Sequence, residues 1–326
     1  MPLTGPAAFL GEELNNGMQL ANKEVNLNLI VEDSQTDPKQ GVTSFNKLVS
    51  VDKINVGIVA VSSIAEAIMP IAKEKEIPIV QTLVSASNVA ATSPYVFRYF
   101  TSGEQEAPIM AKFAVDNLSV KNVSILYLDG EYGLSYKTSF TDSLKDLGGD
   151  VISEEIFQRE DNDFRTQLTK IKFKNPDAIY VIGMDSHLTS ILKQIKELKI
   201  DSIILTNWIL ASPSVQESSG EYDEGVYFTS PSYYFDDKTQ ATLEFIKNYM
   251  ETYGKQPSAY AAIGYDTIKF LAMVQKFSDP GNLIDQLKQI KDFDAAMGKL
   301  SVDKEGEITF SLYPVKIENQ KLKLLK

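Results

Sequence analysis

"VGIVAVSSIAEAI", residues 56–68, decides how the rest of the chain is read. Val56 to Val61 form a short unbroken apolar run, the length and content of a buried strand. Ser62 and Ser63 interrupt it, and from Ser63 onward the apolar residues recur at helical spacing. A buried strand that passes straight into an amphipathic helix is the first half of a strand–helix–strand unit, so a parallel sheet is expected.

The same alternation extends in both directions. Before it lie "LNLIVED" (27–33), read as a strand, and "DPKQGVTSFNKLVS" (37–50), read as a helix with Asp37 as its N-cap and Pro38 in its first turn. The helix at 63–76 contains Pro70, which predicts a kink. Strands follow at 77–82 and 95–100. After residue 102 the rhythm restarts: helices at 106–118, 132–148, 164–174 and 188–199, and strands at 122–128, 151–157, 177–183, 202–208 and 225–232. A third section, 240–254, 258–277 and 284–293, reads as helices with no strand until 307–319. Helices without strands must cover a sheet that already exists, so this section is expected to return to the first.

The 326 residues exceed what one core usually supports. The sequence therefore predicts an α/β fold of two doubly wound parallel-sheet lobes: 1–102 with 234–308, and 103–233 with 309–326. Three crossings, near 102, 233 and 308, would make a hinge.

Composition narrows the chemistry. The net charge is −12, which disfavours nucleic acid, since phosphate binding needs clustered Lys and Arg. No cysteine is present, which removes disulfides, thiolate metal sites and cysteine nucleophiles. The one histidine, His187, follows Asp185 by two, but two ligands do not complete a metal site. A solvated loop or a polar contact is the expected place for it. No phosphate-binding glycine loop and no G-x-S-x-G occurs, so neither an enzyme nor a cofactor is expected. "DKEGE" (303–307) fits a hairpin turn better than a calcium loop.

In open parallel sheets ligands sit beyond the carboxyl ends of strands. Those ends carry Ser62 and Ser63, Ser85 and Ser87 in "TLVSASN" (82–88), "DGEYG" (129–133), "GMDSH" (183–187) and "TNWIL" (206–210). Serines at a strand-to-helix junction are also ordinary helix caps. Trp208 could be a core residue, although Asn207 beside it favours partial exposure.

Several stretches together resemble the Leu/Ile/Val-binding branch of the type I periplasmic binding proteins: "MPLTGPAAFLGEELNNGMQLA", "EDSQTDPKQGV", "SPYVFRYFTSGEQEAP", "LDGEYGLSYKTSF", "NDFRTQLTKIKFKNPDAIYV" and "PSAYAAIGYDTIKFLA". The resemblance runs through the whole chain in order. It implies an extracytoplasmic solute receptor of an ABC importer, periplasmic or on the outer cell surface. Such a receptor is expected to be a monomer that closes on a small-molecule solute and is met by a membrane permease. A ligand-sensing domain of a signalling system is the alternative from another class. "MPLTGPAAFLG" shows neither the basic nor the apolar segment of a signal peptide. Family members begin with a strand running into this turn, so an upstream segment is expected.

What the resemblance implies for the site transfers position by position. The family's carboxylate-binding hydroxyl falls on Val61, with Ser62 one step later and Ser63 opening the helix. The next contacts fall on Val84, Ser85 and Ala86. Amino-acid binders place an acidic residue after the strand at 202–208 to hold the ligand's ammonium, and here that position is Trp208. Losing a buried charge partner costs about 2–5 kcal/mol, some 30- to several-thousand-fold in affinity. The indole face or Asp185 are other places for an ammonium. Tyr132 matches a cleft tyrosine, Met184 stands where many members carry another tyrosine, and Tyr260 falls near an apolar contact. With Phe9 and Leu10 these imply an apolar or aromatic pocket. A small carboxylate without an α-ammonium is the expected ligand, and a branched-chain or other amino acid the alternative.

Overall fold

The computed structural model describes residues 1–84, 90–274 and 280–325, and the chain divides into two compact units. The first is Met1–Phe100 with Asp237–Ser311, the second Thr101–Asp236 with Leu312–Lys326. The first unit opens with α1 (Ala8–Val25), α2 (Pro38–Ser50), β1 (Gly57–Ala60), α3 (Ser62–Glu74), β2 (Ile79–Thr82) and β3 (Val96–Tyr99). Asp37 caps α2 by accepting the Gln40 N–H at 2.9 Å, with Pro38 next to it at the first helical position.

The second unit runs through α4 (Gly103–Leu118), β4 (Asn122–Leu128), α5 (Glu131–Asp146), β5 (Asp150–Phe157), α6 (Arg165–Lys174) and β6 (Ala178–Ile182). It continues with α7 (Asp185–Glu197), β7 (Ile203–Leu205), α8 (Pro213–Ser219) and β8 (Tyr227–Pro231). The chain returns to the first unit with α9 (Gln240–Tyr253), α10 (Ala259–Leu271), α11 (Pro280–Lys288), β9 (Phe293–Ala295), β10 (Gly298–Val302) and β11 (Ile308–Phe310). It ends in the second with β12 (Leu312–Glu318) and β13 (Lys321–Leu324).

In the first unit β1, β2 and β3 pair in parallel in that order. Helices α1 and α10 lie unusually close: a Cβ on Gly17 would stand 1.8 Å from the Ala261 carbonyl oxygen, and one on Gly264 2.1 Å from that of Leu14. In the second unit seven strands follow the order β13-β12-β8-β7-β6-β4-β5. All neighbours from β8 to β5 are parallel, and β12 and β13 add an antiparallel edge. Strands β4 and β6 are buried almost throughout, as the central strands of a sheet covered on both faces must be.

Three expectations need correction. Residues 27–33 form no strand, because their backbone has no ladder partner among the described residues. They line one side of an apolar cavity of about 310 Å³, with Ile54–Val59, at the open edge of β1, on another. The stretch is tied at its two ends: the Asn22 side chain accepts the Leu27 N–H at 2.8 Å and donates to its carbonyl at 3.0 Å, while the Met1 ammonium donates to the Glu32 carbonyl at 2.9 Å and the Ser34 N–H to that of Met1 at 2.8 Å.

Strands do occur before 307: β9 and β10 pair antiparallel, and β10 pairs again with β11. The turn between β9 and β10 is set from outside, by Asp266 of α10, which accepts the N–H of Ala296 at 2.7 Å and of Met297 at 3.0 Å. The hairpin expected at 303–307 is present, with Asp303 Oδ1 accepting three backbone N–H groups from Glu305, Gly306 and Glu307. Finally, β7 stops at Leu205, and Trp208–Ala211 form a 3₁₀ turn capped by the Asn207 side chain, which accepts the Ile209 N–H at 3.3 Å.

Candidate functional site at the strand ends

Strand β4 lies between β5 and β6, so the chain leaves the sheet in opposite directions after β4 and after β6. That reversal is where open α/β sheets offer a crevice. Tyr132, the second residue of α5, spans it. Its hydroxyl donates to the Gly183 carbonyl beyond β6 at 3.3 Å and accepts from the Asn207 amide beyond β7. The ends of β4, β6 and β7 are thus tied through one phenol.

A second knot lies beside the first. Glu106 of α4 is wholly buried and its carboxylate accepts three donors. Oε1 takes the Trp208 backbone N–H at 2.6 Å and the Thr229 hydroxyl, and Oε2 takes the Tyr136 hydroxyl. The Tyr136 ring packs against that of Tyr132 with centroids 5.0 Å apart. Loss of solvation pushes the Glu106 carboxyl up to about 7, against the opposing pull of its three donors. Burial also raises the Tyr136 hydroxyl, helped by the neighbouring Glu106 charge, so it stays a neutral donor.

The structure therefore brings the expected residues Tyr132 and Trp208 into one network with Glu106, Asn207 and Thr229, which the sequence reading did not single out. Glu106 did have a signal: it precedes Met110 by four and Phe113 by seven, placing a carboxylate on the apolar face of its helix. The partial exposure expected of Trp208 is overturned. It is 3% exposed, because its amide is drawn in to Glu106 and the turn that follows, Ile209–Ala211, is buried.

Met184 is half-buried and precedes α7, which begins at Asp185. The Asp185 side chain lies outside what the structure describes. His187 is not in a solvated loop: it is 5% exposed, with its ring edge-on to Phe157 at 5.1 Å. One ring nitrogen faces the Arg159 carbonyl at 2.9 Å and the other accepts the Met184 N–H at 3.3 Å. That pairing needs the neutral Nε2–H tautomer. The position is third in the helix, where a side chain satisfies an orphan N–H, and this is why a polar residue is buried there. Among the described residues no cluster of three acidic or histidine side chains could hold a metal ion.

The first unit presents a different surface at its strand ends. Val61, after β1, has φ +75°, and Leu83, after β2, has φ +56°. A β-branched residue in the left-handed region is strained, and such strain gathers at functional turns. Ser62 and Ser63 are not caps: α3 begins at Ser62, its N-cap is Val61, and no side chain caps it. Ser62 is half-buried and Ser63 exposed, and neither hydroxyl makes a hydrogen bond among the described residues. The two hydroxyls and the first N–H groups of α3 thus form a polar turn suited to an anion.

The other candidates divide. Val84 is 1% exposed and packs with Phe45, Ile64 and Ile79, so only its backbone could meet a ligand. Ser85 and Ala86 lie outside the described residues. Phe9 is 62% exposed in the first turn of α1, with Leu10 half-buried after it. Tyr260 is half-buried in α10. No described helix is long and apolar enough to cross a membrane.

Residues 1–321 match the family described as periplasmic binding protein. A curated relative, the Leu/Ile/Val-binding protein BraC3 of Rhizobium johnstonii, is 27% identical over 332 aligned residues, which cover 96% of this chain and 89% of that protein. Among solved structures, the leucine-binding protein LivK of Thermotoga maritima superposes with a TM-score of 0.84 at 25% identity, covering 100% of this chain and 96% of that one. A solute-binding protein of an ABC transporter from R. palustris, solved with benzoate, has the same TM-score of 0.84 at 19% identity, covering 99% and 93% of the two chains, and supports the fold alone.

Proposed function

Because the chain belongs to the periplasmic binding protein family, we propose that it is the extracytoplasmic receptor of an ABC importer and that it takes a small organic carboxylate lacking an α-ammonium group. Members of this family bind solutes and are not enzymes, and the matched relatives bear the names of binding proteins. On this reading the receptor is a monomer outside the cytoplasm that closes on its solute about a hinge and is then met by a membrane permease.

One observation carries the ligand class. The turn after β7, "TNWILAS" (206–212), offers an amide, an indole and backbone groups but no carboxylate. The carboxylate beneath it, Glu106, is fully buried and engaged by three donors. An ammonium brought to that turn would meet no free carboxylate from residues 206–212 or from Glu106, whereas Ser62, Ser63 and the start of α3 suit a carboxylate. Tyr132 and Trp208 would then face the apolar body of the solute. A branched-chain amino acid is the second reading, favoured by the names of the relatives.

Calorimetric titration separates the two. The protein is unfolded to release carried solute, refolded, and titrated with 4-methyl-2-oxopentanoate, benzoate and L-leucine. The proposal expects an organic acid to bind at least about 30-fold more tightly than L-leucine. L-leucine binding more tightly than either acid would replace it with the second reading.

A further inference from the structure

Glu106 is a buried carboxylate of the second unit that the proposed function leaves without a role. Its carboxylate is buried beyond reach of solute, and it holds no cation. The groups that face it are Tyr136 and Tyr132 of α5, Tyr180 of β6, Thr229 of β8 and the amide of Trp208. Glu131, Asp142, Lys145 and Asp146 of α5 are exposed to solvent, Lys112 of α4 pairs with Asp116, and the other charges on the packed elements have partners elsewhere. Glu104 accepts from Ser135, and Lys137 pairs with Glu154 at 3.4 Å. Lys316 of β12 lies over the Tyr227 ring at 5.3 Å, and Glu318 pairs with Lys323. The Tyr180 hydroxyl is buried and has no hydrogen-bond partner among the described residues. Glu106 is thus a lone buried anion held by neutral donors.

We propose that Glu106 is a positioning residue whose single ionisation sets the turn carrying Trp208 and thereby couples solute affinity to pH. The proposal rests on the solute-binding reading above. Ionised, the carboxylate can accept all three donors at once. Protonated, it cannot: a proton on Oε1 meets the Trp208 N–H, which has no freedom to turn into an acceptor. A proton on Oε2 forces the Tyr136 hydroxyl to reverse and find a new partner. Either way one hydrogen bond is lost or reversed, and the bonds that remain, including any to the Trp208 N–H, lose the negative charge that strengthens them. With the carboxyl pushed up to about 7 by burial, the change falls near neutral pH.

Trp208 is the only tryptophan in the chain, so its emission reads the turn without any ligand. The experiment records Trp208 emission of the ligand-stripped protein from pH 5 to 9, for the natural chain, Glu106→Gln, Thr229→Val and Asp266→Asn. Asp266 is the control, a buried carboxyl of the first unit with a similar set of donors, also pushed up to about 7 by burial. The natural chain should titrate with a midpoint near 7, Glu106→Gln should be flat, and Asp266→Asn should titrate as the natural chain does. Thr229→Val removes a donor to the anion and should move the midpoint upward by about one unit. It keeps the test open should Glu106→Gln fail to fold by circular dichroism.

Titration of 4-methyl-2-oxopentanoate and L-leucine at pH 5.5 and 8 then tests the coupling. Whichever binds should bind about ten-fold more weakly at pH 5.5, and Glu106→Gln should abolish the difference. A flat emission profile in the natural chain, or one that persists in Glu106→Gln and so belongs to another group such as Asp223, overturns the proposal. So does an affinity that ignores pH while the emission titrates. If neither solute binds at either pH while emission titrates through Glu106, the positioning role stands and the ligand reading is what fails.

Discussion

In each unit a buried carboxylate accepts a tyrosine hydroxyl and at least one backbone N–H, yet the two carboxylates serve different ends. Asp266 in the first unit accepts the Tyr99 hydroxyl at 2.8 Å and the N–H groups of Ala296 and Met297. It fixes the turn between β9 and β10. Glu106 in the second accepts the Tyr136 and Thr229 hydroxyls and the N–H of Trp208, three residues beyond the end of β7. The chemistry of the two knots is nearly the same. Their places in the topology differ: Asp266 holds a hairpin turn, while Glu106 holds the turn after β7, which the proposed function assigns to the solute.

The strand ends themselves differ in the same instructive way. In the second unit the turns are wired together by side chains: Tyr132 to Gly183, Asn207 to Tyr132, Trp208 to Glu106. In the first unit Ser62 and Ser63 are left unbonded beside a valine in left-handed backbone. One surface is pre-set by its own side chains, and the other offers spare donors.

Breaking the first knot gives the largest effect. Asp266→Ala should cost roughly 3–5 kcal/mol of stability in urea denaturation, since three buried donors lose their acceptor together. Solute affinity in the folded fraction should stay within about two-fold of the natural chain. An affinity loss as large as that of Glu106→Gln would erase the distinction between the two carboxylates.

The pH dependence of stability comes next. Both carboxyls stand at about 7 when folded, against about 4 in an unfolded chain. The folded state therefore holds protons that the unfolded state has already released. Their contribution is fully present below about pH 4 and is lost as pH rises through 7. Melting temperature should fall by several degrees between pH 5.5 and 8.5, and the double variant Glu106→Gln with Asp266→Asn should flatten that fall. A melting temperature that rises over this range would mean that other groups dominate.

Smaller changes sharpen the contrast at the strand ends. Val61→Gly removes the penalty of a β-branched residue at φ +75° and should raise stability by about 1 kcal/mol while weakening solute binding, because the turn is freed. Ser62→Ala and Ser63→Ala should each change stability by less than about 0.5 kcal/mol, since neither hydroxyl caps the helix. Each should still weaken solute binding by about three- to ten-fold in calorimetry. Unchanged affinity in both would remove the serine turn from the site.

The alternating strands and helices were legible because each strand is short and apolar and each helix keeps its period. Strand 122–128 and the Asp37–Pro38 helix start could be read residue by residue. Residues 27–33 look like a strand in every local respect, but a strand also needs a neighbour, and pairing is not written into the segment itself. Residues 293–302 were missed for the opposite reason: "FDAAMGKLSV" has weak local preference, and its turn is imposed by Asp266 from a distant helix. Tyr132 and Trp208 could be found from strand-end position. Glu106, Asn207 and Thr229 come together from three separate segments, and no spacing in the chain brings them within reach of one another.

The central claim is that the turns after the parallel strands meet the solute while the Asp266 knot does not, and amide hydrogen exchange tests it most directly. Exchange is measured with and without saturating 4-methyl-2-oxopentanoate, and with L-leucine in parallel. The account predicts slower exchange at 61–65 and 206–211 with the solute that binds, and no change at 295–297. Protection that spares 206–211 with a bound solute, or that appears at 295–297 instead, would contradict it.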